Sequence, residues 1–171
     1  MISKTRLSVF CAIAILAAQP LSAESIYTCP DISQARQVAD CPSHAELVHI
    51  FSSTCGSKNI KDENPHAKGY CKSFDLFKQA KNTALWESAD GEYLGYLSCN
   101  TPAAEIKAGK LASISLLQRG RMDKITCAYD SGAKLALRTR KNCQVPGAKP
   151  KGMQLSRDCS AGSAECKAIC K

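Results

Sequence analysis

Residues 84–97 read ALWESADGEYLGYL, and this stretch decides the fold. Its apolar residues alternate on both sides of Asp90-Gly91, the pattern of two half-buried strands around a two-residue turn. Centring the loop there sets Trp86 opposite Gly95, Leu85 opposite Tyr96 and Ala84 opposite Leu97. A ring that covers a facing glycine stabilises such a pair, so the single tryptophan has a structural task. The second strand runs on to Cys99.

Downstream the same period returns. Strands are expected at 111–118, 123–130 and 134–140, with turns at Arg119-Gly120-Arg121-Met122 and Ser131-Gly132-Ala133. A two-residue loop at the second turn would mix Ile125, Cys127 and Tyr129 with Arg138, Ala136 and Lys134. A three-residue loop instead pairs Tyr129 with Leu135, Cys127 with Leu137 and Ile125 with Thr139. Slipping by one residue turns every side chain over, so burial selects the longer loop. It pairs Asp130 with Lys134 and sets Lys124 opposite Arg140. Cys143 then lies beyond the position across from Cys127, and each must bond to another element.

Upstream the period is helical. Asp31 caps an expected helix with Ile32, Ala35, Val38 and Ala39 on one face, ending before Cys41-Pro42. Ser43 opens a second, with Glu46 completing a capping box and Leu47, Val48, Ile50 and Phe51 as its buried side. Residues 56–70 read as a loop. Ser73 caps a third helix carrying Phe74, Phe77 and Ala80 at helical spacing. After Cys143 the chain reads as irregular at 145–152, and the tail from Cys159 to Cys170 as one or two helical turns. The class is therefore α+β, with short N-terminal helices packed on an antiparallel sheet.

Eleven cysteines occur in 171 residues. Lys4 and Arg6, the apolar run Leu7 to Ala18 and the small residue Ala23 form an export signal cleaved after Ala23, removing Cys11. Twelve residues of apolar core are too short to span a bilayer, which takes about 20. Residues 24–171 then form one domain, periplasmic or secreted, with a bacterial origin favoured. Its cysteines, Cys29, Cys41, Cys55, Cys71, Cys99, Cys127, Cys143, Cys159, Cys166 and Cys170, are expected in about five disulfides. Ten allow on the order of a thousand pairings, so spacing does not give connectivity. Zinc held by Cys159, Cys166 and Cys170 is the lesser reading, because zinc sites use shorter spacings and reducing compartments.

Without its leader the chain carries 21 Lys and Arg against 15 Asp and Glu, a net +6. The charge is uneven. Residues 24–106 hold 7 basic and 11 acidic side chains, and residues 107–157 hold 12 and 2. Lys124, Lys134, Arg138 and Arg140 fall on the sheet face opposite Ile125, Cys127 and Leu137. Such a field attracts an anionic envelope polymer, a lipid headgroup or an acidic protein, although a solvated sheet face has the same look. Nucleic acid is disfavoured, since no aromatic is interleaved with these cations. The acidic first half also allows a head-to-tail homo-oligomer.

Catalytic signatures are thin. His44 and His49 lie about 140° apart around a helix, and His66 falls in the loop. Glu46 and His49 at i, i+3 offer an acid/base pair for a small secreted hydrolase. No nucleophile elbow, zinc-binding helix or paired-carboxylate motif is present, and no cofactor is implied.

Thr28-Cys29-Pro30, the hairpin ALWESADGEYLGYL and ITCAYDSGAKLALRTRKNC (125–143) together resemble small exported bacterial domains of unknown function. These occur in intracellular pathogens of the Legionella and Coxiella type. The likeness covers about half of the exported chain and implies an α+β module acting in the envelope or in virulence. The Cys-x-Tyr strand is similar to bacterial lysozyme inhibitors, which implies a binding role. The expected function is thus a non-enzymatic exported binding protein using its basic sheet face. An inhibitor of a lysozyme-type or protease-type hydrolase is the first alternative, and the small hydrolase the second.

Overall fold

The computed structural model describes residues 24–56, 67–159 and 165–171. The leader at 1–23, His66 and most of the loop read at 56–70 lie outside these residues. In chain order come β1 (Ser25–Thr28), a 3-10 turn (Ile32–Gln34), β2 (Arg36–Gln37), α1 (His44–Cys55), α2 (Ala67–Tyr70) and α3 (Phe74–Lys81). The hairpin strands β3 (Thr83–Glu87) and β4 (Leu94–Ser98) follow, then α4 (Ala103–Lys107). Next are β5 (Leu111–Arg119), β6 (Met122–Tyr129), β7 (Lys134–Thr139) and β8 (Cys143–Gln144). The chain closes with β9 (Lys149–Lys151), β10 (Gln154–Asp158) and β11 (Lys167–Cys170). The fold is α+β, dominated by an eight-stranded antiparallel sheet in the order β2-β3-β4-β7-β6-β5-β10-β9, beside a three-stranded sheet β1-β11-β8.

The hairpin keeps its expected alignment, with Trp86 across from Gly95, Leu85 from Tyr96 and Ala84 from Leu97. The ladder stops at Glu87 and Leu94, wider than a two-residue turn. There the Ser88 hydroxyl accepts from the Tyr93 amide at 3.0 Å and donates to Asp90 Oδ1 at 2.5 Å. Gly95 owes its identity to a different neighbour. A Cβ there would stand 2.2 Å from the Lys134 carbonyl oxygen and 3.0 Å from Leu135 Cδ2. Gly95→Ala must therefore push β4 from β7, at a cost of about 1–3 kcal/mol. A denaturation midpoint equal to the parent's would show that this seam yields freely.

β6 and β7 meet through a three-residue loop, as burial requires, but it is Asp130-Ser131-Gly132. Ile125 faces Leu137 and Cys127 faces Leu135, a slip of two residues from the expected pairing. A slip of two leaves each side chain on its own face, so the apolar selection still holds. What decides the shift is a bond to a distant segment together with the turn's own geometry. The Asp130 carboxylate accepts from the Lys110 amide at 2.7 Å instead of meeting Lys134, and Gly132 takes φ 84°, a conformation that favours glycine. Lys124 accordingly faces Arg138 rather than Arg140.

The inner face of the large sheet carries the core. Ile114, Leu116, Ile125, Cys127, Leu135 and Trp86 are buried there with Ala168, Cys143 and Cys170 of the small sheet, and with Ile32 and Ile106. Each large aliphatic side chain contributes about 1.5–3 kcal/mol. Cys29–Cys127 ties the segment after β1 to this face, and Cys143–Cys170 joins β8 to β11. Cys127 and Cys143 thus bond to separate elements. A smaller cluster of Leu47, Phe77, Cys55 and Cys71, with Phe51, Tyr70 and Phe74, holds α1, α2 and α3 together. Cys55–Cys71 closes that cluster, Cys41–Cys99 fastens the segment before α1 to the end of β4, and Cys159–Cys166 clips the tail. Every sulfur of the zinc reading is in a bridge.

Several expectations need correction. Asp31 does cap, accepting from the Ser33 amide at 2.9 Å, but only the 3-10 turn forms. Arg36-Gln37 pairs with β3 instead, because Arg36 meets Glu87 at 2.5 Å and Val38 donates its amide to Leu85 at 2.9 Å. Helix α1 buries Leu47, whereas Val48 and Ile50 stand 41% and 42% exposed, since α3 packs against one narrow face of it. Ala80 of α3 is exposed for the same reason. Residues 67–70, read as loop, form α2. The stretch after Cys143 yields β9 and β10, and the tail ends in a strand. A strand there gains partners on both sides, β1 and β8, which no isolated helical turn would have.

Candidate functional site

Antiparallel pairing brings separate turns to one end of the large sheet. Arg119 pairs with Met122 across the β5–β6 turn. β10 runs antiparallel to β5 and starts at Gln154, which pairs with Lys151, so the Gly152-Met153 turn sits beside the β5–β6 turn. β7 ends there too, with Thr139 across from Asp123 and Arg140-Lys141 following. This end therefore carries Arg119, Arg121, Lys124, Arg138, Arg140, Lys141 and Lys151.

The four residues named from sequence are not one cluster. Lys124 faces Arg138 across the ladder on the outer face, because Asp123, Ile125, Cys127 and Tyr129 point inward. Arg140 lies just past the end of β7. Lys134 sits at the opposite end of that strand, about 13 Å from Arg138 along it. The structure substitutes Arg119, Arg121, Lys141 and Lys151 as its companions. Sequence held a signal for these in the basic run 107–157, but only the ladder order shows which turns coincide.

Arg121, Arg140, Lys141, Gln118 and Asn142 surround a cleft of about 470 Å³ with Asp123 at its base. Asp123 is 6% exposed and already engaged, accepting from the Cys143 amide at 2.8 Å and from Gln118 Nε2 at 3.4 Å. It anchors the cleft floor to β8. Lys141 Nζ donates to Ser25 Oγ at 2.5 Å, tying the start of β1 to this end. Among the described residues the ion pairs are Arg36–Glu87, Arg157–Glu165 and Lys171–Glu24, and none takes a cation of this cluster. Lys124 and Arg138 repel directly, an opposition that costs a few tenths to about 1 kcal/mol. An anion placed across them removes that cost. The counterweight is the β3–β4 turn, which brings Asp90 and Glu92 to the same end. Hydrogen bonds from the Ser88 hydroxyl and the Glu92 amide hold the Asp90 carboxyl below its ordinary range, so it stays charged.

The acid/base pair sits elsewhere. Glu46 Oε2 accepts from the Ser43 amide at 2.7 Å and its hydroxyl at 2.8 Å, closing the capping box. Those bonds hold its carboxyl low, which weakens it as a base. His49 lines a groove of about 690 Å³ with Glu46, Ile50, Lys81 and Tyr96, between α1 and the hairpin. His44 meets Phe74 edge-on at 5.4 Å, a packing contact. A cavity of about 950 Å³ lies between residues 29–32 and the β5–β6 pair. Three of its polar groups are used by the fold: Tyr129 donates to the Pro30 carbonyl at 2.5 Å, Asp31 caps the 3-10 turn and Asp130 holds Lys110.

No helix among the described residues is long and apolar enough to cross a membrane. Comparison with protein-family models, with curated proteins and with solved structures gave no match in any of the three.

Proposed function

We propose that this is an exported, non-enzymatic binding protein that docks an anionic partner on the cationic end of its larger sheet, in the bacterial envelope or in contact with a host. One observation carries the reading: Arg119, Arg121, Lys124, Arg138, Arg140 and Lys141 converge there, outnumbering Asp90 and Glu92 of the β3–β4 turn, and Asp123 beneath them is turned inward and engaged. Five disulfides support an oxidising compartment, periplasmic or extracellular.

A field of this kind raises the encounter rate with anions and is screened by salt. Oxidised protein is expected to bind a sulfated-polysaccharide column at low ionic strength and to elute as salt approaches about 0.5 M, where the screening length falls to a few ångströms. Passage through the column at low salt overturns the reading.

A further inference from the structure

The same end of the sheet is apolar at its tips. Met153, in the β9–β10 turn, is 84% exposed, the most of any large hydrophobic side chain among the described residues. Met122, closing the β5–β6 turn, is 38% exposed. Neither meets a need of the fold, because the core lies along the inner face and both side chains stand at the sheet's end. Around them are Lys151, Arg119, Arg121 and Arg140, all exposed. Flexible apolar tips ringed by cations suit an interface with apolar depth below a layer of negative charge. A soluble polyanion would use the cations and leave the methionines in water.

Resting on the anionic-partner reading, we infer that the occupant is a lipid surface. The protein stands edge-on against an anionic bilayer, with Met153 and Met122 entering the headgroup boundary and the surrounding Arg and Lys pairing with lipid phosphates. Binding of this type grows with buried apolar area and with attraction to anionic lipid together. Asp90 and Glu92 tilt the approach, since the β3–β4 turn at the same end is repelled. The β9–β10 and β5–β6 turns therefore lead.

The test uses the oxidised exported chain and vesicles of phosphatidylcholine, with and without phosphatidylglycerol, beside the sulfated-polysaccharide column. Cosedimentation is expected only with the anionic vesicles. The exposed pair Met122→Ser and Met153→Ser should keep the parent's melting temperature and its column elution, while vesicle partitioning falls roughly tenfold, the scale of one well-buried side chain. Unchanged partitioning of that variant overturns the inference. So does a parent that binds the column but ignores anionic vesicles, an outcome that leaves the anionic-partner reading standing. A parent that binds neither overturns both.

Discussion

Replacing Cys29 and Cys127 together by alanine is expected to lower stability by about 4 kcal/mol, about twice the loss from the shortest bridge. The bond spans 98 residues, the longest separation of the five. Chain entropy for a loop of about 100 residues gives ~4.7 kcal/mol, but the nested Cys41–Cys99 bond shortens the path through the unfolded chain and reduces this to about 4. Cys127 is fully buried in the centre of the large sheet, and Cys29 anchors the strand segment that carries the small sheet's β1. Removing Cys159–Cys166, which spans 7 residues, should cost only about 2 kcal/mol. Denaturant midpoints of the two paired variants give the comparison. Equal losses would mean that the bridges act through native strain or local packing and that the fold does not depend on its central tie.

The second large effect concerns binding. Lys124→Gln, Arg138→Gln and Arg140→Gln combined should weaken attachment to an anionic surface about 100-fold at low salt, each cation near such a surface contributing about 1 kcal/mol. Stability should not fall. The Lys124–Arg138 opposition disappears, so the melting temperature is expected to stay level or rise slightly. That separation of readouts distinguishes a docking role from a structural one. Lys134→Gln alone, at the far end of β7, should change affinity by well under the tenfold that about 1.4 kcal/mol represents. A Lys134 effect as large as the triple variant's would place the partner across the sheet face instead of at its end.

Much of this fold was legible in the chain. The 84–97 hairpin was, because alternation and an Asp-Gly turn are both local signals. The Ser43–Glu46 box was legible for the same reason. The β6–β7 pairing was legible in its faces and not in its register, since the burial pattern is unchanged by a slip of two and the deciding bond is Asp130 to a distant Lys110 amide. The short strands β2, β9 and β11 were not legible. Each is two to four residues long; β2 and β11 exist through partners far away in sequence, β3, and β1 with β8, while β9 pairs with the adjacent β10 across Gly152-Met153 in a polar stretch that shows no apolar alternation. The pairing of Gly95 with Trp86 is legible in the hairpin, whereas the backbone of Lys134, which excludes a side chain at Gly95, is visible only once β4 meets β7.

For the candidate site, composition located the charge in residues 107–157, but the assumed register put Lys134 into the cluster and left Arg121, Lys141 and Lys151 out. Nothing in the sequence marks Met153, because a methionine in a polar stretch has no periodic signal. Its meaning comes from the neighbouring turn.

The docking end itself is tested most directly by titrating isotope-labelled, fully oxidised protein with anionic vesicles or a short sulfated oligosaccharide and following backbone amide signals. Perturbations are expected at 119–122, 138–142 and 151–154, three segments far apart in sequence that meet at one end of the sheet. Changes concentrated instead around His49 and Tyr96, or around the cavity lined by Asp31 and Asp130, would contradict the account.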